Sequence, residues 1–516
     1  MRLPDEHQRG AGKGRQTAKS PPYRRIPGRA RPMNAPLPQD TAATAPLAFT
    51  GKARVALNDP RLRANFRRAM DGLMSKRAAQ FADADEWRTL RARGAEARAR
   101  ALAKLPDLLE RLERRCAENA ITVHWAETTG QANAIVLDLL TAAGAKTVIK
   151  GKSMVSEEMH LNAHLAAHGI TAIESDLGEY IIQLAGEAPS HIVMPCIHKN
   201  KAEIAALFAE HIPGQPYTEN VDDLTGAARN ALRGAFAAAD AGISGVNFAV
   251  AETGTLVLIE NEGNGRLSTT LPPLHIAVTG IEKVLEFLDD VPPLLSLLPR
   301  SATGQPITTY VNMISGPRRP GEKDGPQAVH LVLLDNGRSR VYDDPQLRDT
   351  LRCIRCAACL NHCPVYTRVG GHSYSFTYPG PIGKILSPQL EGLDCAGDQP
   401  HASSLCGACA EVCPVEIPIP DLLVRLRGEA ISPTSRAVKG GGSARSLGDR
   451  LGRRLSTAIL GQPRLYGLIS RLAGRIGDRL PSWLPGLNRW TRVRSKPAFA
   501  RRSLHALARE RGYADE

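Results

Sequence analysis

The sequence predicts an α/β domain, with a mixed sheet flanked by helices, followed by a small α-helical domain built around cysteines. Three observations carry that prediction. Short β-rich runs alternate with helical stretches between residues 121 and 211, a paired-strand signal follows near residue 250, and eight of the ten cysteines fall between Cys353 and Cys413.

The elements follow in order. Residues 1–32 hold nine Lys/Arg against two Asp/Glu, with no apolar periodicity and no hydrophobic run of the secretory kind. Residues 1–48 are therefore read as a disordered basic extension, with Met1 and Met33 as alternative starts. From about 66 to 119, Leu90, Leu102, Leu105, Leu108, Leu109 and Leu112 recur at threes and fours among charges, which predicts a leading helix pair. Strands are then expected at 121–126, 146–150, 170–174 and 191–195, alternating with helices at about 131–143, 156–168, 177–185 and 200–211. Four such repeats are the pattern of parallel strands joined by crossover helices. The run 245–263 reads as two strands turning around Glu252, Thr253 and Gly254, and further strands at 274–279, 307–314 and 328–334 close a mixed sheet. These boundaries place the α/β domain at 49–340 and the cysteine domain, entered by a short helix at 344–353, at 341–430.

Residues 431–516 read as a basic linker and tail. Gly, Ser and Pro dominate 432–442, and beyond them Leu451, Leu455, Ile459, Leu460, Leu465, Leu468, Ile469 and Leu472 recur among arginines, with Trp483 and Trp490 near prolines. Such a stretch suits peripheral contact with a membrane surface, or packing against a partner subunit or the protein's own core. Pro463 and Pro481 interrupt any long interfacial helix and favour packing.

The net charge of +14 resides in the ends: +7 in residues 1–32 and +13 in 431–516 leave −6 between them. A nucleic-acid partner thereby loses its main support. No run approaches eighteen consecutive apolar residues, so no membrane-spanning helix is expected. Without an export signal the chain is expected in the cytoplasm, where its cysteines serve as thiolate ligands and not as disulfides.

Cys353, Cys356, Cys359 and Cys363, followed by Pro364, match C-x2-C-x2-C-x3-C-P, the bacterial ferredoxin run for a [4Fe-4S] cluster. A cubane takes three thiolates from one tight turn of chain and a fourth from elsewhere. The alternative, zinc, usually takes two separated C-x2-C knuckles, which four cysteines in eleven residues would crowd. Downstream, Cys406, Cys409 and Cys413 with Pro414 repeat the end of the motif, and Ser403 stands where its first cysteine would be. In two-cluster ferredoxins the last cysteine of each run serves the other cluster. Cluster 1 would then take Cys353, Cys356, Cys359 and Cys413, and cluster 2 Cys363, Cys406 and Cys409, one thiolate short. Three completions stay open: Cys395, the favoured fourth ligand; Ser403 or water; or a [3Fe-4S] cluster. Two clusters in one unit make sense chiefly as an electron relay. Cys116 and Cys196 read as core or near-surface thiols.

In the α/β domain the strand at 146–150 leads into Gly151, Lys152 and Ser153 and then a helix. Lys150, Lys152 and the backbone N–H groups there form a candidate site for a carboxylate or phosphate, against the reading of an ordinary turn with solvated lysines. Glu252, Thr253 and Gly254 belong to the same candidate anion or substrate site, or are turn chemistry alone. His198, Lys199 and His275 flank strand ends, where α/β sites collect polar groups, although a lone histidine there is more often hydrogen-bonded structure. No residue is assigned a catalytic role. No glycine-rich dinucleotide loop follows the first strand, so no flavin or nicotinamide motif is present.

The blocks IKGKSMVSEEMHLN (149–162), SDLGEYIIQL (175–184), MPCIHKNKAEI (194–204), NFAVAETGTLVLIENEGN (247–264) and LPPLHIAVTGIEK (271–283) resemble the LUD domain. With CIRCAACLNHCPVY, LCGACAEVCPVEI and the tail WLPGLNRWTRVRSKPA, the chain resembles the lactate-utilisation protein B family over roughly residues 50–500. The resemblance implies a LUD fold related to NagB/RpiA/CoA-transferase-like folds, followed by a dicluster ferredoxin-like domain. It also implies a cytoplasmic LutABC-type system that oxidises L-lactate to pyruvate, in which this subunit relays electrons through two [4Fe-4S] clusters. The implied partners are LutA-like Cys-rich and LutC-like LUD subunits. The rival expectation is a ligand-binding or transferase-like LUD module whose clusters brace the fold or sense redox state; a zinc-braced scaffold is the third.

Overall fold

The computed structural model describes residues 49–430, 438, 447–484, 487–491 and most of 495–513. The extension assigned to 1–48 and nearly all of the linker at 431–446 lie outside the described residues.

Ten strands are present among the described residues: β1 (Ile121–Ala126), β2 (Thr147–Lys150), β3 (Thr171–Glu174), β4 (Ala241–Gly245), β5 (Phe248–Val250), β6 (Thr255–Glu260), β7 (Leu274–Gly280), β8 (Val284–Leu285), β9 (Tyr310–Ile314) and β10 (Ala328–Leu334). Six of them form a sheet in the order β1-β10-β7-β4-β2-β3, with every neighbouring pair parallel. The mixed character resides in a second sheet, β8-β5-β6-β9, where the hairpin expected around Glu252 pairs β5 with β6 antiparallel and β8 joins β5 in parallel. The six-stranded sheet is covered on both faces. Along β10, Leu331 and Leu333 enter one hydrophobic cluster while Val332 and Leu334 enter another, as the period of two requires.

Several expectations need correction. The leading helix pair is four helices, Phe49–Leu57, Pro60–Gln80, Ala84–Ala103 and Leu105–Glu118. The helix expected at 156–168 is two, Met154–Glu158 and Leu161–Ala167, divided at His160 with φ 51°. The helix expected before the cysteines is a 3-10 turn, Leu347–Arg352. Residues 191–195 form no strand, because the His191 ring replaces a ladder partner: its Nδ1 accepts from the backbone N–H of Val193 at 3.1 Å and of Met194 at 2.9 Å. Strand β4 was not expected, since AGISG has little β-propensity; its Gly242 lets the Ser268 carbonyl approach to 1.8 Å of where a Cβ would stand.

The leading helices bind the cysteine domain as much as the sheets. Arg91 donates from Nε to the Cys413 carbonyl at 2.8 Å and from Nη2 to that of Ala410 at 2.7 Å, and the Phe66 and Tyr366 rings meet edge to face at 5.7 Å. Fully buried Arg98 donates to the carbonyls of Val284 at 2.8 Å, Leu351 at 2.9 Å, Arg352 at 3.2 Å and Glu282. A second buried arginine, Arg338, forms a bidentate pair with Glu158 at 2.8 and 2.9 Å and donates from Nε to Glu282 at 2.7 Å. Glu282 also pairs with Arg355 of the first cysteine loop at 3.2 Å. Burial opposes ionisation of Glu282, yet Arg338 and Arg355 hold its carboxyl down at about 2.

In the tail, helices Leu447–Gly461 and Pro463–Ile476 lie against each other. Leu451, Leu455, Leu460, Leu468 and Leu472 are exposed, so the expected packing of this row onto the protein's own core does not occur. No helix among the described residues is long and apolar enough to cross a membrane.

Arg338→Met leaves the Glu158 and Glu282 carboxylates buried without their shared cation. It is expected to destabilise the protein by about 3–5 kcal/mol, read as a lowered unfolding midpoint in urea for the intact chain.

Candidate metal centres and the adjoining cavity

The two cysteine loops repeat one backbone conformation. Cys356 is flanked by Arg355 (φ 61°) and Ala357 (φ 63°), and Cys406 by Leu405 (φ 57°) and Gly407 (φ 87°). Left-handed residues on both sides of one cysteine curl each loop before its short helix, Ala358–Asn361 or Ala408–Glu411. The thiols fall into two groups. Cys353 and Cys413 act electrostatically on both Cys356 and Cys359, and Cys363 and Cys406 act on Cys409; Cys409 acts on Cys359 as well, so the two groups adjoin. Cys395, on the short helix Leu393–Ala396, is exposed.

Burial pushes the Cys356 thiol up to about 12 and those of Cys409 and Cys413 to about 11. Uncomplexed, these groups stay protonated at neutral pH, so their thiolate form is coupled to metal binding. Donors are already aimed at the sulfurs: Arg355 N–H reaches Cys353 Sγ at 3.4 Å, Tyr366 N–H reaches Cys363 Sγ at 3.5 Å, and Ile417 N–H reaches Cys413 Sγ at 3.4 Å. The fully buried Lys384 donates from Nζ to Cys363 Sγ at 3.4 Å. A pair of anionic thiolate-ligated clusters fits these residues, because such donors compensate charge on ligating sulfur.

A cavity of about 320 Å³ lies where the α/β domain meets the first loop. Gly151, Lys152 and Ser153 line one side, and Lys283, Arg355 and Cys356 line another. Lys152 donates to the Val193 carbonyl at 2.5 Å, within the loop that His191 shapes. Glu262 also lines the cavity, its carboxyl pushed up to about 7 by burial and by neighbouring Asp176. Lys283 donates to the Cys353 carbonyl at 2.9 Å, and burial pushes its ammonium down to about 7.

Only part of the expected anion site converges here. Lys150 is fully buried and bound to Glu174 at 2.8 Å and Glu157 at 3.1 Å; although burial opposes its charge, these carboxylates hold its pKa above the usual lysine range. The Gly151 N–H is taken by the Ile243 carbonyl at 2.8 Å, and the five-residue helix that follows is capped by Ser153 itself. Glu252, Thr253 and Gly254 do not line the cavity. Glu252 accepts the Leu288 N–H at 2.9 Å, the Thr253 hydroxyl meets that of Thr255 at 2.8 Å, and Gly254 is packed against Arg115.

His198 and Lys199 both engage Glu187, at 2.7 and 2.6 Å, and hold its carboxyl down at about 2. The His198 ring also meets His372 of the cysteine domain, with centroids 4.7 Å apart, so this group ties the domains together. His275 is buried against Ser244 Oγ at 2.8 Å, and burial pushes its ring down to about 4: a neutral group inside the sheet. Cys116 is buried and Cys196 half-buried, apart from the two thiol groups. Sequence reasoning missed Glu262, Lys283 and Arg355. Arg355 lies inside the first cysteine motif, and Glu262 and Lys283 lie in the LUD-like stretches 247–264 and 271–283, but a sequence pattern does not say which wall a side chain faces.

An α/β domain whose cavity is bordered by one of two paired cysteine loops with donors aimed at their sulfurs has the architecture of an iron-sulfur protein. Family models agree along the chain: the LUD domain matches residues 109–334, the 4Fe-4S dicluster domain 349–417, and lactate utilisation protein B, C-terminal, 425–513. The chain is 40% identical over 460 residues to lactate utilization protein B of Bacillus licheniformis, covering 87% of this chain and 94% of that protein. It is 39% identical over 461 residues to the protein of the same name from Bacillus subtilis, with the same coverage. To that of Shouchella clausii it is 43% identical over 383 residues, 73% of this chain and 80% of the relative. The chain belongs to the lactate utilization protein B family.

Lys384→Met removes a buried cation from Cys363 Sγ while preserving side-chain length. The centre that Cys363 serves is expected to become harder to reduce, with a more negative midpoint in a potentiometric EPR titration and the other centre unmoved.

Proposed function

We propose that the protein is the iron-sulfur electron-transfer subunit of a cytoplasmic, LutABC-type system that oxidises L-lactate to pyruvate. Cys353, Cys356, Cys359 and Cys413 would hold one [4Fe-4S] cluster, and Cys363, Cys406 and Cys409 would hold the second. One observation carries the relay. Cys356 of the first thiol group is buried and lines the cavity, while Cys406 of the second group is exposed, so the two groups lead from the cavity wall to the outer surface of the cysteine domain.

The net reaction converts lactate to pyruvate with release of two electrons and two protons. When bound, the two clusters would supply one-electron acceptors for that pair, while the C2 hydrogen is taken by a group in another subunit. In the cavity, Lys152 and Arg355 bind the carboxylate of the 2-hydroxy acid, and the Glu262 carboxylate accepts the hydroxyl proton. LutA-like and LutC-like subunits are the partners we assign to the exposed end of the relay. The names of the relatives support the lactate assignment. The tail supports peripheral contact with an anionic membrane: +13 net charge in residues 431–516 accompanies an exposed leucine row.

Cys359→Ser is expected to remove one cluster, about four of eight irons, and to abolish growth on lactate while the α/β domain stays folded. Unimpaired lactate growth by that variant would leave the ligand-binding module with bracing clusters as the better reading.

Lys152→Ala should raise the KM for lactate in the assembled system about tenfold or more, as expected for one lost charge-assisted hydrogen bond, with iron content unchanged. A fall in kcat alone would place lactate elsewhere. For the tail, the full chain should co-sediment with phosphatidylglycerol vesicles and not with phosphatidylcholine vesicles, and Leu455→Asp with Leu468→Asp should release it.

A further inference from the structure

We infer that Ser403 is the fourth protein ligand of the second cluster, through its Oγ, and that Cys395 is not a ligand. The inference rests on the two-cluster reading above and deepens it.

Ser403 occupies the place in the second loop that Cys353 occupies in the first, and two contacts and one backbone feature repeat there. The N–H two residues on turns back to the side chain in both loops: Arg355 N–H to Cys353 Sγ at 3.4 Å, and Leu405 N–H to Ser403 Oγ at 3.2 Å. A basic side chain donates to the carbonyl of the same residue in both: Lys283 to Cys353 O at 2.9 Å, and Arg427 to Ser403 O at 3.1 Å. Two left-handed residues follow at matching positions, Arg355 and Ala357 in one loop, Leu405 and Gly407 in the other. Backbone conformation, carbonyl anchor and side-chain turn together put Ser403 Oγ where the first loop presents a ligating sulfur. Arg427 fixes the segment further by donating from Nε to the Pro400 carbonyl at 2.9 Å.

Cys395 has none of these features. Its helix, Leu393–Ala396, lies before the 3-10 turn Gln399–His401, outside the repeated loop, and its thiol is exposed. On ligation the serine hydroxyl releases its proton to solvent and binds iron as an alkoxide, with no change in oxidation state. A hard oxygen donor stabilises the more oxidised iron better than thiolate does, so the two clusters are chemically unequal although their loops are alike.

The test uses anaerobically purified full-length protein, with iron and acid-labile sulfide assayed per chain and EPR and Mössbauer spectra recorded. Wild type should hold about eight irons, with one iron site showing oxygen-type Mössbauer parameters. Ser403→Ala should fall to about seven irons with an oxidised [3Fe-4S] signal, the first cluster's signal serving as the folding control. Ser403→Cys should keep the iron count, lose the oxygen-type site and raise the second cluster's midpoint potential. Cys395→Ser should match wild type. Iron lost in Cys395→Ser but retained in Ser403→Ala overturns the inference, as does a wild type that already holds [3Fe-4S]. A wild type with zinc and no sulfide overturns the two-cluster reading itself.

Discussion

The structure depends on a buried charge network that no single domain contains. Glu158 lies in the helix after β2, Glu282 in the 3-10 turn after β7, Arg338 in the helix after β10, and Arg355 in the first cysteine loop. The Tyr378 hydroxyl completes the group by donating to Glu158 at 2.6 Å. Two carboxylates and two guanidiniums balance, so their desolvation is offset only when all four are in place. That condition fixes the first cysteine loop on the carboxyl ends of the parallel strands, where α/β folds present their binding sites.

Because the loop is fixed there, its residues serve two purposes. Arg355 neutralises Glu282 and also lines the cavity; Cys356 belongs to a thiol group and also lines the same cavity. The leading helices act from the other side. Arg91 and Arg98 donate to backbone carbonyls of both cysteine-bearing segments and so anchor each to the leading helices. At Gly371 the Ser190 carbonyl comes within 1.9 Å of where a Cβ would stand, so only glycine lets the two domains approach this closely.

The cysteine domain is a repeat with unequal halves. Its loops share left-handed positions and carbonyl anchors, yet the first is buried under the α/β domain and the second faces outward, with Cys406 exposed. Burial lowers the local dielectric and strengthens the field of Arg355 around the first group, whereas the second has Lys384 on one side and solvent on the other. The same motif is thus given two electrostatic environments by what packs on it.

The sequence by itself determined the class of metal centre, because the spacing of four cysteines in eleven residues, with the last followed by proline, is a local pattern legible without the fold. It also determined most strands: β1, β2, β3, β5, β6, β7, β9 and β10 have the β-rich runs that announce them. It misread 191–195, where the His191 ring takes the place of a neighbouring strand, and β4, whose small residues are required by the helix crossing it. Only the tertiary structure decided that Lys150 is locked in an ion pair while Lys152 faces the cavity, that Glu252 lies elsewhere, and that Glu262, Lys283 and Arg355 converge. Those positions are far apart in the chain and meet through sheet order and buried charge, which spacing along the sequence does not encode.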